Sequence, residues 1–582
     1  MNGPDKRALG ARLVIAGTSS DVGKTAIATG IMAALRARGR RIAAAKVGPD
    51  YVDPGYHRVA TGRPSRNLDV RMSGVEMVPR LASRAADGAD LLVIEGAMGL
   101  FDGVGATDEA STAHVAALLD APVVLVVDAS KMSGSVIAVV QGFNGILQKR
   151  RGSRLAGVIL NRVGSDTHEA QLREALRESR VPVLGAFRRS EEMNRPDRHL
   201  GLIPIVEHVG DVERSVKVLA DLAAKHVDLR SVEIIADRAP QFRAAPPETA
   251  HPVSSSRIPI AVAGGPAFSF AYEDNLEQLE AAGAKLVPFD PRTTSSLPRE
   301  VKGLYAGGGF PEEYVKEISA NSPLLADVHT RVTDGLVTWA ECGGLLWLCR
   351  SLDGVPMCGV VAADASMTDR VTVGYRTATL RNRCPIAPAG AVLVGHEHRS
   401  SSVSPQGGAL RQSGNGGSSR GGWATHTLLA SYLQLHLGAD PAKAEWFVAA
   451  AAGVPAPALR EGLPDTGIEG GSGAIGARRP RDGKARNRDA PRSGGKGSPP
   501  ERNRGGGRGG SESPGDARGK QSSRHPDTGR EPRRDSGPRR RPRPPRSDGQ
   551  GGNESTRQRT RRTPPGSNLP DPNPEEPGGP TP

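Results

Sequence analysis

The chain has 582 residues, 37% of them hydrophobic, and a formal net charge of +14, enough for two or three domains. Its composition is uneven: from Pro455 to Pro582 there is no Phe, Trp or Tyr, and 27 Lys and Arg against 16 Asp and Glu place +11 of the charge in that stretch. Such a segment cannot bury enough apolar surface to offset its chain entropy, and the near-neutral remainder excludes a folded part that is itself a strongly basic nucleic-acid binder. No apolar run is long enough to span a bilayer, and Met1 to Arg12 lacks an apolar signal core. Cys342, Cys349, Cys358 and Cys384 have no metal-type spacing. A reducing cytoplasmic setting without a membrane partner is therefore expected.

The first predicted strand, Leu13–Ala16, runs into Gly17-Thr18-Ser19-Ser20-Asp21-Val22-Gly23-Lys24-Thr25 and then a helical stretch, Ala26 to Arg36. Strand, glycine-rich loop and helix form the context of a P-loop. Backbone N–H groups from Gly17, Thr18, Ser19 and Gly23 would cradle ATP phosphates at the helix start. Lys24 would reach the outer phosphates and Thr25 would ligate Mg²⁺. Five residues separate the two glycines where the usual motif has four. That variant resembles the P-loop of dethiobiotin synthetase and its ATP-dependent amidating relatives.

Further strand-like runs at Ile42–Lys46, Leu91–Glu95, Val123–Asp128 and Val158–Leu160 alternate with helical patterns to about residue 225. The alternation predicts an α/β domain with a mostly parallel sheet, whose ligands sit at the carboxyl ends of the strands. The residues there are the candidates. The stretch from Lys46 to His57 reads as a loop, broken by Gly-Pro and Asp-Pro-Gly. It gathers Asp50 and Asp53, with Lys46, Tyr51, Val52 and His57 as substrate contacts, beside the phosphates, where the carboxylates would bind Mg²⁺ or position a second substrate. Glu95, ending an apolar strand, has the Walker-B position for Mg²⁺. Ser111 to His114 reads as a helix N-cap, and Asn161 is placed to meet the nucleotide base.

Residues 226–256 read as a linker, followed by a second strand–helix alternation over 257–450. There Gly307-Gly308-Gly309 precedes Leu336-Val-Thr-Trp-Ala-Glu341-Cys342-Gly343-Gly344. A cysteine at a strand-to-helix turn is a nucleophile in type, with the helix N-terminus lowering its thiol pKa. Amides of Gly308, Gly309 and Gly343 are the predicted oxyanion donors.

These motifs, with Asn67-Leu-Asp69, Glu95-Gly-Ala-Met-Gly-Leu-Phe-Asp-Gly103 and Arg198-His-Leu-Gly-Leu202, resemble the cobyrinic acid a,c-diamide synthase family and its hydrogenobyrinic acid relatives. The resemblance covers about residues 12 to 450. It implies a P-loop NTPase domain (12–225) and a class I glutamine amidotransferase-like α/β domain (257–450), followed by a disordered basic tail (451–582). It also implies ATP-dependent phosphorylation of a corrin carboxylate, with ammonia from glutamine attacking the acyl phosphate after a thioester forms on Cys342. Corrin polycarboxylate, glutamine and ATP are then the partners, and a homodimer is one assembly compatible with the chain. The sequence departs from the family in one place. Gly395-His396-Glu397-His398 lacks a Phe that relatives carry, 399–422 matches poorly, and Gln434 stands where relatives have the general-base histidine. Glutamine cannot take a proton from a thiol, so His436 becomes the candidate base, ahead of His426. Two alternatives stand beside this reading. A cobyric acid synthase acting on other side chains is disfavoured by the loop Gly48 to Pro54. A partitioning-type ATPase binding DNA through its tail is disfavoured by Cys342 at its strand-to-helix turn and by the near-neutral folded part.

Overall fold

A computed structural model describes residues 7–189, 197–198, 201–202, 209–414 and 417–458. The expected basic tail from 459 onward, and His199 and Leu200 of the Arg198–Leu202 match, lie outside the described residues.

The strand-like runs of the first half become a seven-stranded parallel sheet. Its spatial order is Ser65–Leu68, Ile42–Val47, Leu91–Glu95, Arg12–Gly17, Val123–Asp128, Leu155–Val163, Val183–Arg188. Both faces are covered, which is why these strands are continuous Val, Ile, Leu and Ala rather than alternating. Val14 and Ala16 point into one core with helices Met77–Ala85, Thr112–Leu118 and Val136–Arg151. Leu13 and Ile15 point into the other with helices Lys24–Ala37 and Val209–His226. The latter two helices touch closely: a Cβ on Gly30 would lie 2.5 Å from the Leu219 carbonyl oxygen, so no larger residue fits there.

The second half holds a six-stranded sheet ordered Ala284–Phe289, Ile258–Ala263, Gly303–Ala306, Val337–Glu341, Leu428–Ser431, Trp423–Ala424. Its first five strands are parallel and the last is antiparallel. A further sheet is built on a long hairpin, Val361–Leu380 with Val392–Ser404. The poorly matching stretch after Glu397 is not an insert outside the fold. It completes the second hairpin strand and supplies Leu410–Gly414 and Gly417–Gly421 to the same sheet. On the other edge of Val392–Ser404 lies the short strand Gln434–Leu435.

Two expectations change. The stretch 226–256 is partly built into the first half: helix Leu229–Asp237 buries Leu229, Val232 and Ala236 in its core, and Phe242–Ala244 pairs with Arg7–Leu9. The predicted loop from Lys46 to His57 ends early, because Asp53–Thr61 is a helix with Pro54 in its first turn. Proline there forfeits only an N–H that has no helical partner, so Asp-Pro-Gly starts this helix instead of breaking it.

The two halves are interlocked by polar groups. Arg66 binds Asp274 and Glu277, each at 2.6 Å. Tyr375 donates to Asp69 at 2.8 Å, and the Tyr272 hydroxyl donates to the Pro49 carbonyl at 3.1 Å.

Candidate active site

The strand Arg12–Gly17 delivers the glycine loop to the sheet edge, and the helix begins at Lys24. Gly23 has φ 91° and is pressed by Asn161, whose Nδ2 would lie 2.3 Å from a Cβ there. Asn161 Nδ2 donates to the Val22 carbonyl at 2.8 Å, and its Oδ1 accepts the Arg162 N–H at 2.9 Å. These two bonds tie the buried amide to the loop, leaving one amide hydrogen and one lone pair of the side chain uncommitted. Lys24 Nζ donates to the Ser19 carbonyl at 2.8 Å. Burial, helped by nearby Lys46, brings its pKa down to about 8.

Behind the loop lies a dense charged cluster. Lys46 Nζ is 2.6 Å from Asp53 and 2.9 Å from Glu95. His57 bridges Glu95 at 2.6 Å and Ser65 at 3.1 Å. Thr25 Oγ1 donates to Glu95 at 2.6 Å. Burial opposes the charge on Glu95, but Lys46, His57 and Thr25 together hold it below the usual carboxylate range. Asp53 is pushed upward by burial and by Asp50 and Glu95, against the pull of Lys46. Glu95 and His57 are fully buried and do not face the cavity; Thr25, Lys46, Asp50, Val52 and Asp53 do. Glu95 thus accepts from the Thr25 hydroxyl, and His57 is bonded to Glu95 from behind. Asp50 folds its own loop by accepting the N–H groups of Val52 and Asp53 at 2.8 and 3.0 Å. The N-cap reading of Ser111 holds: its side chain accepts the His114 N–H.

Cys342 occupies a sharp turn between strand Val337–Glu341 and helix Gly343–Leu348, with φ 50° and ψ −105°. A non-glycine residue in that region is strained, and it aims the thiol off the sheet edge. Glu341 anchors the turn, accepting the Leu435 N–H at 2.9 Å and the Tyr305 hydroxyl at 3.1 Å. The helix start does not lower the thiol pKa as expected. Burial, then the neighbouring Glu312, push Cys342 up to about 12, against the Gly343 N–H and Arg399. Among the oxyanion candidates, Gly308 is already used, because its N–H donates to the Phe270 carbonyl at 3.0 Å. Gly309 and Gly343 stay adjacent, a Cβ on Gly343 falling 3.1 Å from the Gly309 nitrogen.

The histidine prediction is corrected. Strand Gln434–Leu435 stops before His436, so the two side chains do not share a strand face. His436 is buried between the halves, 3.4 Å from Asp274, 3.3 Å from Ser73 and edge-on to Tyr272. His426 is exposed and away from the cavity. The side chain beside the cysteine is Gln434: a Cβ on Gly308 would lie 2.5 Å from Gln434 Nε2 and 3.7 Å from the Cys342 Cβ. The imidazoles that do line this end are His396 and His398, both lowered by burial, His396 to about 3. They alternate along one strand, a period-two signal that the sequence carries and that the focus on positions 434 and 436 passed over.

One cavity of about 680 Å³ joins the two centres, with Lys24, Thr25 and Lys46 at one end and Cys342, Gln434 and His398 at the other. Tyr51 lies between them, stacked on Phe270 at 5.4 Å and on Tyr272 at 4.2 Å.

Comparison with known proteins fits this arrangement. Residues 13–203 match the CobQ/CobB/MinD/ParA nucleotide binding domain, and 259–442 the CobB/CobQ-like glutamine amidotransferase domain. Hydrogenobyrinate a,c-diamide synthase of Streptomyces coelicolor is 44% identical over 472 residues, covering 75% of this chain and 96% of that protein. The enzyme of that name from Thermobifida fusca is 44% identical, covering 77% and 98%. Cobyrinate a,c-diamide synthase of a Synechococcus strain is 41% identical, covering 74% and 96%. The chain belongs to the a,c-diamide synthase family. It is an ATP-dependent, glutamine-hydrolysing amidoligase, with a nucleotide-binding domain followed by an amidotransferase domain. Among the described residues no helix is long and apolar enough to cross a membrane.

Proposed function

We propose that the chain amidates the a and c side-chain carboxylates of cobyrinic or hydrogenobyrinic acid in cobalamin biosynthesis. The observation that carries this reading is the single cavity running from the P-loop to Cys342. ATP phosphates lie on the N–H groups at the start of helix Lys24–Ala37, with Lys24 released from Ser19 to the outer phosphates. A substrate carboxylate oxygen attacks the terminal phosphorus, giving an acyl phosphate and ADP. Ammonia then attacks the acyl carbon and phosphate leaves. Asp50 and Tyr51, on the loop between the two centres, position the corrin carboxylate and the ammonia. Mg²⁺ fits the donor set: the Thr25 hydroxyl gives its proton to Glu95 and turns its lone pairs outward, beside the Asp53 carboxylate. Such a hard-oxygen site, completed by substrate phosphates, would supply neutralisation of phosphate charge.

At the other end Cys342 Sγ attacks the glutamine amide carbon, with the oxyanion on the Gly309 and Gly343 amides. The thiol proton passes to the amide nitrogen as the C–N bond breaks, so that ammonia leaves, and water then hydrolyses the thioester to glutamate and restores the thiol. Gln434 offers no nitrogen able to accept the thiol proton, so glutamine is a slower donor than ammonium. The test is corrin-dependent ATP hydrolysis and diamide formation with glutamine or ammonium chloride. Product is expected with both donors, faster with ammonium, and Cys342→Ser should remove only the glutamine-dependent part. No corrin-dependent turnover with either donor would overturn the assignment.

A further inference from the structure

The cavity that reaches Cys342 is also lined by an acidic and a basic side chain, Glu312 and Arg399, each with one buried polar atom that has no partner among the described residues. Glu312 starts a short turn after the glycine loop, with Pro311 packed under Gly343. Its Oε2 is buried and has no hydrogen-bond partner among the described residues. Burial pushes its pKa up to about 7, against a hydrogen bond from its own backbone N–H. Arg399 comes from the long hairpin on the other side. Its guanidinium lies 4.1 Å over the Tyr432 ring and donates from Nη1 to the Ser401 carbonyl. Its Nε is likewise buried without a partner among the described residues. Both side chains line the cavity, and both act on the Cys342 thiol, Glu312 raising its pKa and Arg399 lowering it.

Buried polar groups are ordinarily paired, and exceptions call for a reason. A separated carboxylate and guanidinium, both unsatisfied and both beside a nucleophile, are the complement of a free α-amino acid. Resting on the reading above, we propose that Glu312 and Arg399 form the clamp for the glutamine backbone. Glu312 accepts the α-ammonium, Arg399 binds the α-carboxylate, and the side-chain amide is thereby set at Cys342. The clamp selects free glutamine over a glutaminyl side chain in a peptide, whose α-groups carry no charge. Ammonium, lacking both groups, has no use for it.

The test alkylates Cys342 in the full-length protein and follows modification by mass spectrometry. Two electrophiles are compared: 6-diazo-5-oxo-L-norleucine, which carries the amino-acid head, and iodoacetamide, which does not. Because each charge also tunes the thiol, the ratio of the two labelling rates is the readout: Glu312→Gln, nearly isosteric, and Arg399→Met should each lower labelling by the first at least tenfold relative to labelling by the second. In the unaltered protein L-glutamine should protect Cys342 from iodoacetamide at least tenfold better than 4-carbamoylbutanoate, which lacks only the α-ammonium. Equal slowing with both electrophiles, or no slowing with either, overturns the clamp, and so does equal protection by the two amides. None of these readouts needs ATP or a corrin, so failure of the corrin assignment would leave them unchanged.

Discussion

The two ends of the cavity differ in how their charges are balanced before any substrate arrives. At the phosphate end Lys46, Asp53, Glu95, His57 and Thr25 are bonded to one another, and Lys24 rests on a carbonyl. At the thiol end Glu312 and Arg399 have buried unpartnered atoms, and Gln434 stands beside a thiol held far from its reactive form. The first end is pre-organised by the protein alone, which suits stabilisation of transferring phosphate without reorganisation. The second leaves one buried polar atom on each of Glu312 and Arg399 without a partner among the described residues.

The largest expected effect breaks the phosphate end. Lys24→Ala should reduce amidation with either nitrogen donor by roughly 10²–10³-fold, the scale of losing one charge-stabilising donor. A loss confined to the glutamine reaction would place Lys24 outside phosphoryl transfer. Next, Gln434→His puts an imidazole beside Cys342 and should raise glutamine-dependent turnover about 10²-fold, the lower range for general-base assistance. An unchanged glutamine rate would mean that another group already takes the thiol proton. The thiol itself gives a pH test. With its pKa pushed up to about 12, the reactive thiolate fraction is small at neutral pH. Iodoacetamide labelling of Cys342 should climb about tenfold per pH unit from 7 to 9 without levelling. A plateau below pH 9 would show a thiolate stabilised in the resting protein. Smallest is Tyr375→Phe. It removes the hydroxyl donated to buried Asp69 across the halves and should cost about 1–3 kcal/mol in a urea unfolding series.

Legibility in the sequence follows the same divide. Strands Leu91–Glu95 and Val123–Asp128 are bounded in the structure as the apolar runs predict, because a parallel strand buried on both faces has no alternation to blur its ends. Lys24, Thr25, Lys46, Asp53 and Cys342 come to the cavity because each sits at the end of a predicted strand or in the loop that follows. The contacts of Asn161, His57 and Glu95 are not legible, since each has a partner distant in sequence: Val22, Glu95 and Thr25 respectively. Gly308 was named as a donor from its neighbours in the chain, but Phe270, far from it in sequence, claims that N–H. Glu312 and Arg399 are not legible for the same reason, since only the fold of the long hairpin brings them to one cavity, whereas His398 carries a period-two signal with His396.

The interlock between the halves bears on how the chain folds. Asp274 lies buried with Arg66 on one side and His436 on the other, while Asn275 donates to the Leu435 carbonyl and accepts the Leu437 N–H. Excising either half would break the Arg66–Asp274 pair and expose to water surface that is now buried between the halves, a loss set against a marginal total. The boundary drawn by function is therefore not a boundary of cooperativity, and residues 7–458 should melt as one unit. A truncated amidotransferase half is expected to be an unstable species, and its glutaminase an activity that no dissected fragment can display.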